Sequence, residues 1–278
     1  MPAAIKPLKR FSQNFLRDPF YARKLVEAMA VQAGDTVLEI GPGDGILTRC
    51  LLESPADRII AVELDRRCAE WIRRLFAGEA RFLLIEQDFL KVDLSSIDPA
   101  GGKIRIVGNI PYAITSPILF RLLDNRRQIR DFAVTVQKEV GQRVVSPPGC
   151  KAYGIPSVLF QLHAEVRELF GIPPGAFQPV PKVDSTVLYG RFFERPKYEV
   201  RDEAFFRTFV KTLFGQRRKM IRNTIKKWSL DNKGWGEMSR FLDMRPEALS
   251  VEDLAALSDH VLTRILPEYG IGAVKTVE

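Results

Sequence analysis

Hydrophobic and polar positions along the first two-thirds of the chain follow two different periods. Short β-branched runs predict strands, and longer stretches with apolar residues three and four apart predict the helices between them. The predicted strands are Thr36 to Ile40, Arg58 to Leu64, Phe82 to Ile85, Ile104 to Val107 and Phe132 to Val136. Strands that alternate with helices predict an α/β domain whose mostly parallel sheet is covered on both faces.

The pattern changes after the fifth predicted strand. Residues 161–170 and 186–193 are predicted to form strands joined by a proline-rich loop, so they can pair antiparallel at the edge of the sheet. Beyond residue 195 the strand pattern stops, and helices are predicted over 202–213, 217–228, 235–242 and 251–266. We therefore predict two domains, an α/β domain over residues 1–194 and a small all-helical domain over residues 195–278.

A glycine-rich loop follows the first predicted strand. Glu39-Ile40-Gly41-Pro42-Gly43-Asp44-Gly45 leads directly into a helix pattern, the order found in nucleotide-binding crevices. Glu63 ends the second strand, where it can accept hydrogen bonds from a ribose diol, and Asp88 ends the third, near where an adenine would lie. The spacing differs from that of dinucleotide enzymes, and Pro42 removes an N–H that a pyrophosphate would use. The loop therefore favours a nucleoside without phosphates, and S-adenosylmethionine is the predicted cofactor.

Composition excludes several classes of protein. The chain of 278 residues has no apolar run long enough to span a membrane, and its first ten residues show no secretory or transit pattern. Its three cysteines and two histidines lie too far apart in the sequence for a disulfide framework or a zinc site, so no metal is expected. We expect a cytoplasmic protein that acts as a monomer.

The net charge of +8 is concentrated in two segments. Residues 205–233 contain nine Lys and Arg against one Asp, and residues 1–24 contain six against one. Arg218, Arg222 and Lys226 recur every four residues, which on one helix would form a basic ridge without neighbouring acids. A solvated helix face would explain such a run, but the repulsion along the ridge favours a polyanionic partner that supplies the counter-charge.

The most specific motif is Asn109-Ile110-Pro111-Tyr112, at the end of the fourth predicted strand. With it the chain resembles the ribosomal RNA adenine N6-dimethyltransferase family, most closely the branch that dimethylates two adjacent adenosines of small-subunit RNA. The other matching segments are residues 11–16, 39–45, 63–65, 87–89, 177–185 and 214–219. The resemblance implies a Rossmann-like class I methyltransferase domain with a seven-stranded, mostly parallel sheet, followed by the small helical domain.

The resemblance also implies roles for individual residues. An N-terminal arm, residues 1–17, would close over the cofactor through Asn14 and Leu16. The cofactor site would be completed by residues of the strand ends and the glycine loop, namely Gly41, Gly43, Glu63, Asp88 and Asn109. RNA would be held by basic residues of the arm and of the helical domain, namely Lys9, Arg10, Arg217, Arg218, Lys219, Arg222 and Lys226.

The chemistry of the reaction fits the residue types of the motif. An adenine N6 amine is a poor nucleophile because its lone pair is delocalised into the ring. The amide oxygen of Asn109 and the carbonyl of Ile110 can hold its N–H groups in a pyramidal geometry, and Pro111 stiffens the turn. Tyr112 and Phe177 are predicted to stack on a base turned out of its helix. For Phe177 a second interpretation stays open, because a loop Phe between prolines can also fill a core.

Three alternatives stay open at the sequence level. The first is the antibiotic-resistance branch of the same family, which modifies an adenosine of large-subunit RNA. The second is a nucleic-acid-binding factor that kept the fold without the activity, and the third is a small-molecule methyltransferase, which would leave the basic segments unexplained. The expected partner is small-subunit ribosomal RNA within the assembling small subunit.

Overall fold

The structure is a computed structural model that describes residues 13–98, 101–225 and 234–268. Its contacts divide the chain into two compact units. Unit 1 comprises residues 1–141 and 165–192, and unit 2 comprises residues 142–164 and 193–278. The chain passes between the units three times, and the predicted boundary at residues 194 and 195 lies two residues from the third of these points. Residues 142–164, by contrast, were predicted to belong to the α/β domain.

Unit 1 is an α/β domain. Its strands are β1 (Phe15–Leu16), β2 (Thr36–Ile40), β3 (Arg58–Glu63), β4 (Phe82–Glu86), β5 (Ile104–Asn109), β6 (Ile129–Gln137), β7 (Ala164–Ile172), β8 (Phe177–Gln178) and β9 (Ser185–Phe192). The helices are α1 (Pro19–Ala28), α2 (Ile46–Leu52), α3 (Arg66–Leu75) and α4 (Thr115–Asp124). Helix α5 (Lys138–Val145) begins in unit 1 and ends in unit 2.

Seven of these strands form one sheet in the order β4-β3-β2-β5-β6-β9-β7. The five strands from β4 to β6 are parallel, and β9 pairs antiparallel with β6. The predicted fold class is therefore confirmed. The chain order of the parallel strands reverses between β2 and β5, and ligands bind beyond the carboxyl ends of the strands at such a point.

The strands β2, β3, β5 and β6 consist almost entirely of buried residues, and most of these are apolar, as expected for a parallel sheet covered on both faces. One charged network is also buried, at the opposite edge of the sheet from the carboxyl ends. Arg105 donates to Asp131 and to Asp35, and both of these carboxylates are almost fully buried. The paired charges satisfy one another at the starts of the strands, away from the glycine loop.

Unit 2 contains α6 (Ile155–His163), α7 (Glu203–Gly215), α8 (Ile221–Ile225), α9 (Val251–His260) and α10 (Leu266–Glu268). Its core includes Phe206, Phe209 and Leu213 of α7 and Leu254 and Leu257 of α9. The strand predicted over residues 161–170 begins only at Ala164. At the start of α6 the N–H of Gly154 donates to the hydroxyl of Ser157 over 3.0 Å, and the helix then continues through His163.

The basic helix predicted over residues 217–228 does not form as expected within the described residues. Its helical part is the short α8, and the preceding residues form a turn. In a helix from residue 217, the N–H groups of Ile221 and Arg222 would bond to carbonyls four residues earlier. Instead they donate to the carbonyls of Met244 and Leu242, so tertiary hydrogen bonds replace the predicted helical turn. Among the described residues, no helix is long and apolar enough to cross a membrane.

Candidate active site

A cavity of about 200 Å³ lies beyond the carboxyl ends of β2, β3 and β5 in unit 1. Its lining includes the glycine loop after β2, the ends of β3 and β5, the turn after β4 and the segment around β1. All seven residues predicted to bind the cofactor line it, namely Asn14, Leu16, Gly41, Gly43, Glu63, Asp88 and Asn109. Parallel strands bring the five residues of the glycine loop and the strand ends together because their carboxyl ends meet at one edge of the sheet, while Asn14 and Leu16 come from the N-terminal arm.

The glycine loop needs its glycines because three of them have positive φ angles, between +56° and +89°. Gly43 has a second constraint. A Cβ atom at this position would lie 2.8 Å from the ring of Phe15, so only a hydrogen lets β1 approach the loop. Gly45 caps the N-terminus of α2 in the left-handed conformation.

Glu63 ends β3 with its carboxylate held by backbone donors. The N–H of Gly43 donates to it over 3.2 Å and the N–H of Asp65 over 2.7 Å. Burial raises the pKa of Glu63, while these two hydrogen bonds oppose that shift. Asp88 similarly accepts from the N–H of Leu90 over 2.9 Å and caps the turn after β4.

Glu39 is a cavity residue to which the sequence analysis assigned no role. It lies within β2, is 0% exposed, and accepts a hydrogen bond of 2.6 Å from the hydroxyl of Thr48. Its other carboxylate oxygen, Oε1, has no hydrogen-bond partner among the described residues. Burial raises the pKa of Glu39 to about 8, and the negative charges of Glu63 and Asp44 add to the shift. An acidic residue inside an apolar strand is the sequence signal that identifies it.

Asn109 is the last residue of β5, and its side chain has a defined orientation. The amide nitrogen Nδ2 donates to the backbone carbonyl of Asn14 over 2.8 Å. The carbonyl oxygen of Asn14 can only accept a hydrogen bond, so the Asn109 atom next to it must be the amide nitrogen. The amide oxygen Oδ1 stays free of that contact and is an acceptor beside the cavity.

The rest of the motif forms a tight turn after Asn109. The side chain of Ile110 is buried, and Pro111 begins a single 3₁₀ turn over Tyr112–Ile114, in which the N–H of Ile114 donates to the Pro111 carbonyl. Tyr112 is half-buried, and its hydroxyl is hydrogen-bonded to the hydroxyl of Ser185 at the start of β9. Burial raises the pKa of the Tyr112 phenol.

The N-terminal arm contacts the cavity at several points over its described residues. Gln13 donates to Asp65 over 3.2 Å, and Arg17 forms an ion pair with Asp44 at 2.5 Å. Strand β1 pairs antiparallel with β8. These contacts hold the described part of the arm across the glycine loop. Lys9 and Arg10, predicted to meet RNA, lie outside the described residues.

Phe177 does not line the cavity, contrary to the prediction that it stacks on the target base. Its side chain is 2% exposed and belongs to the apolar core that also contains Leu16, Leu25 and Ile172. The pairing of β1 with β8 aligns Phe177 with Leu16, and this directs the ring into the core. Transfer of the phenyl ring from water explains its position better than contact with a substrate.

The predicted RNA-binding residues of unit 2 differ in their surroundings. Arg217 forms an ion pair with Glu247 and donates to the carbonyl of Cys150, and Arg222 forms an ion pair with Asp243. The predicted ridge without neighbouring acids is therefore wrong at Arg222, and Arg217, which was predicted to hold phosphate, also has an acidic partner. Arg218 and Lys219 are exposed on the turn before α8, and Lys226 lies outside the described residues.

Comparison with known proteins identifies relatives of the chain. The sequence profile described as "Ribosomal RNA adenine dimethylase" matches residues 6–253. A "Ribosomal RNA small subunit methyltransferase A" from Magnetococcus marinus is 41% identical over 92% of this chain and 92% of its own length. A protein of the same name from Chlorobium phaeobacteroides is 44% identical over 90% of this chain and 91% of its own length.

Two crystal structures share the fold. A dimethyladenosine transferase from Plasmodium falciparum superposes with a TM-score of 0.75 at 22% identity, covering 94% of this chain and all of that chain. The 23S rRNA methyltransferase ErmE superposes with a TM-score of 0.70 at 24% identity, covering 89% of this chain and 99% of that chain. At these identities the likeness shows the fold alone.

Proposed function

The chain belongs to the ribosomal RNA adenine dimethylase family, and from this premise we propose that it transfers methyl groups from S-adenosylmethionine to N6 of two adjacent adenosines in small-subunit ribosomal RNA. Relatives over 40% identical along most of the chain are named as small-subunit methyltransferases, which supports this substrate over large-subunit RNA. We propose that the transfer occurs on the assembling small subunit, in the cytoplasm, by a monomer.

One observation carries the proposal. The turn of Asn109 to Tyr112 and the glycine loop line the same cavity, and the amide of Asn109 is oriented by the carbonyl of Asn14. A methyl donor and an amine acceptor must meet within one cavity, and methyl transfer needs in-line approach. The shared cavity supports such a meeting at the end of β5.

The residues of the cavity fit S-adenosylmethionine on two counts. Glu63 is a buried acceptor at the end of β3, where a ribose diol would donate. Glu39 offers a fully buried Oε1 without a partner among the described residues, and a ligand group that donates to this oxygen would stabilise the ionised form that burial disfavours. When bound, this cofactor supplies an electrophilic methyl group on a sulfonium.

In the proposed mechanism, the side chains orient the amine instead of removing a proton beforehand. The Oδ1 atom of Asn109 accepts one N–H of the adenine amine, and the Ile110 carbonyl accepts the other. These two acceptors favour a pyramidal nitrogen whose lone pair points toward the methyl group. After the attack the nitrogen is cationic and acidic, so water or a weak acceptor suffices to take its proton.

The Asn14 contact gives the arm a place in this mechanism. If the amide of Asn109 turned over, Nδ2 would face the amine, and two donors would meet without an acceptor. The Asn14 carbonyl disfavours the turned-over amide, because its oxygen would then face the Oδ1 oxygen of Asn109 with no hydrogen between them. The arm therefore supports the productive side-chain orientation as well as covering the cavity.

The proposal is tested by methyl incorporation into small subunits that lack the modification, with the modified nucleotides mapped. We expect Asn109→Ala to retain S-adenosylmethionine binding and to lose about 100-fold or more in methyl transfer, a loss typical of a removed transition-state contact. Asn125→Ala serves as a matched control, because that amide donates to the Arg121 carbonyl at the end of α4.

The same assay separates the remaining alternatives. Unmethylated large subunits are supplied in parallel, and methylation of these alone would replace the proposed substrate with that of the other branch. Tight, salt-sensitive RNA binding without any transfer would identify a binding factor instead of an enzyme. Full activity of Asn109→Ala would refute the proposed mechanism while leaving the substrate in place.

A further inference from the structure

The hydrogen bond between Tyr112 and Ser185 connects two segments that lie 73 residues apart in the sequence. Tyr112 follows β5, whereas Ser185 is the first residue of β9. Ser185 also ends the run Pro181-Lys182-Val183-Asp184-Ser185, one of the segments that carry the family resemblance. Neither the cofactor site nor the proposed amine contacts give this run a role.

The topology of the sheet shows what the hydrogen bond spans. Strand β6 lies between β5 and β9, so two strand spacings, about 10 Å, separate the strands that the bond connects. Because β9 runs antiparallel to β6, its first residue lies at the same edge as the carboxyl ends of the parallel strands. The tyrosine side chain therefore extends from the end of β5 across the end of β6.

The two ends of the tyrosine side chain are thus both attached to the sheet. Its Cα belongs to the turn that Pro111 begins, and its hydroxyl is held by a serine that is 0% exposed. Ser185 pairs with Gln137 in the β6–β9 ladder, so its own position is set by backbone hydrogen bonds. A side chain held at its Cα and at its hydroxyl cannot change its χ1 rotamer without breaking the hydrogen bond, so the ring stays in one place. A side chain that is already fixed lowers the entropy cost of ordered contact.

We propose that Ser185 is a positioning residue for methyl transfer, because its hydroxyl fixes the direction in which the side chain of Tyr112 extends, and so the place of the ring on which the target adenine stacks. This inference rests on the proposed function and adds a role for the run that ends at Ser185. The bond holds the ring before the base arrives, so the stacked adenine presents its amine to Asn109 in one orientation. Ser185 acts only through Tyr112 and does not touch the substrate.

The test uses two variants that remove the same bond from opposite ends. Ser185→Ala removes the serine hydroxyl, and Tyr112→Phe removes the phenol while keeping a ring that stacks on bases. We expect each variant to lower kcat for methyl transfer about tenfold, the effect of one net hydrogen bond. The affinity for S-adenosylmethionine and the KM for cofactor should stay within twofold of wild type, because neither hydroxyl contacts the glycine loop.

The double variant Tyr112→Phe/Ser185→Ala provides the decisive comparison. If the two hydroxyls act as one unit, the double variant loses no more than either single variant. Thr186→Val is the matched control, since it removes the hydroxyl of the next residue in β9, which points to the opposite face of the sheet. It should retain wild-type kcat.

The outcomes separate this inference from the proposed function. Absence of transfer by the wild-type protein would overturn the proposed function, and it would also overturn this inference, which rests on that function. With an active wild type, unchanged kcat in either single variant, or losses that multiply in the double variant, would overturn the role of Ser185 alone. If Ser185→Ala does not fold, Tyr112→Phe still tests the bond, because full kcat in that variant refutes it.

Discussion

Glu39 makes the stability of the protein depend on pH in a calculable way. Its pKa is about 8 in the folded protein against an ordinary value of 4.5, so folding favours the protonated carboxyl group. The contribution of Glu39 to the free energy of unfolding is therefore largest below pH 4.5, and it is lost as the pH rises toward 8. One such group lowers the free energy of unfolding by about 1.4 kcal/mol for each pH unit in this window, or about 3 kcal/mol between pH 5 and pH 7.

The variant Glu39→Gln removes this dependence. A glutamine oxygen can still accept from the hydroxyl of Thr48, while its amide group would occupy the place of the unpartnered Oε1. An unsatisfied buried amide costs about 1 to 3 kcal/mol, but that cost is the same at every pH. The expected signature is thus a change in slope with pH, which is distinct from a constant offset in stability.

The assay is urea unfolding followed by circular dichroism at pH 5, 6, 7 and 8 for wild type and Glu39→Gln. Glu63, Asp44 and Glu168 also have raised pKa values, so the wild-type slope includes them. The difference between the two proteins reports Glu39 together with its coupling to Glu63 and Asp44. Glu27→Gln, at an exposed glutamate of α1, is the control and should parallel wild type. Parallel curves for Glu39→Gln and wild type would refute the reasoning.

Two further predictions concern the glycine loop and the basic turn. Gly43→Ala should weaken S-adenosylmethionine binding, measured by calorimetry, at least tenfold more than Gly41→Ala. Both positions have positive φ, but only a Cβ atom at Gly43 would meet Phe15. Equal losses of affinity in the two variants would contradict this account. Joint replacement of Arg218 and Lys219 by alanine should reduce the slope of log affinity for RNA against log salt by about 1.5 to 2. Arg217→Ala should instead lower the thermal midpoint and leave that slope unchanged, since Arg217 pairs with Glu247; a changed slope in Arg217→Ala would show that this residue meets phosphate.

Local patterns in the sequence were sufficient to predict the α/β domain and the location of its cavity. Alternation of strands and helices implies a parallel sheet, and a parallel sheet gathers the ends of its strands at one edge. Gly41, Glu63, Asp88 and Asn109 all follow or end predicted strands, and all line the cavity. Their chemical roles remain predictions that the variants above test.

Local patterns failed where distant residues compete for the same groups. The helix expected from residue 217 is replaced because the carbonyls of Met244 and Leu242 take the N–H groups of Ile221 and Arg222. For Phe177, in a proline-rich loop, the sequence could not decide between stacking on a base and filling the core. The pairing of β1 with β8 directs its ring into the core. Helical spacing and loop composition carry no information about hydrogen-bond partners or strand neighbours that lie far away in the sequence.

The contacts that distinguish this site join residues far apart in the chain. Asn109 donates to Asn14 across 95 residues, and Tyr112 meets Ser185 across 73. The sequence motifs identify which residue types occupy the strand ends and turns, because strand ends and turns are local structures. Only the packed tertiary structure selects which hydroxyl or carbonyl each one meets, since hydrogen bonds at short range depend on three-dimensional distance and direction.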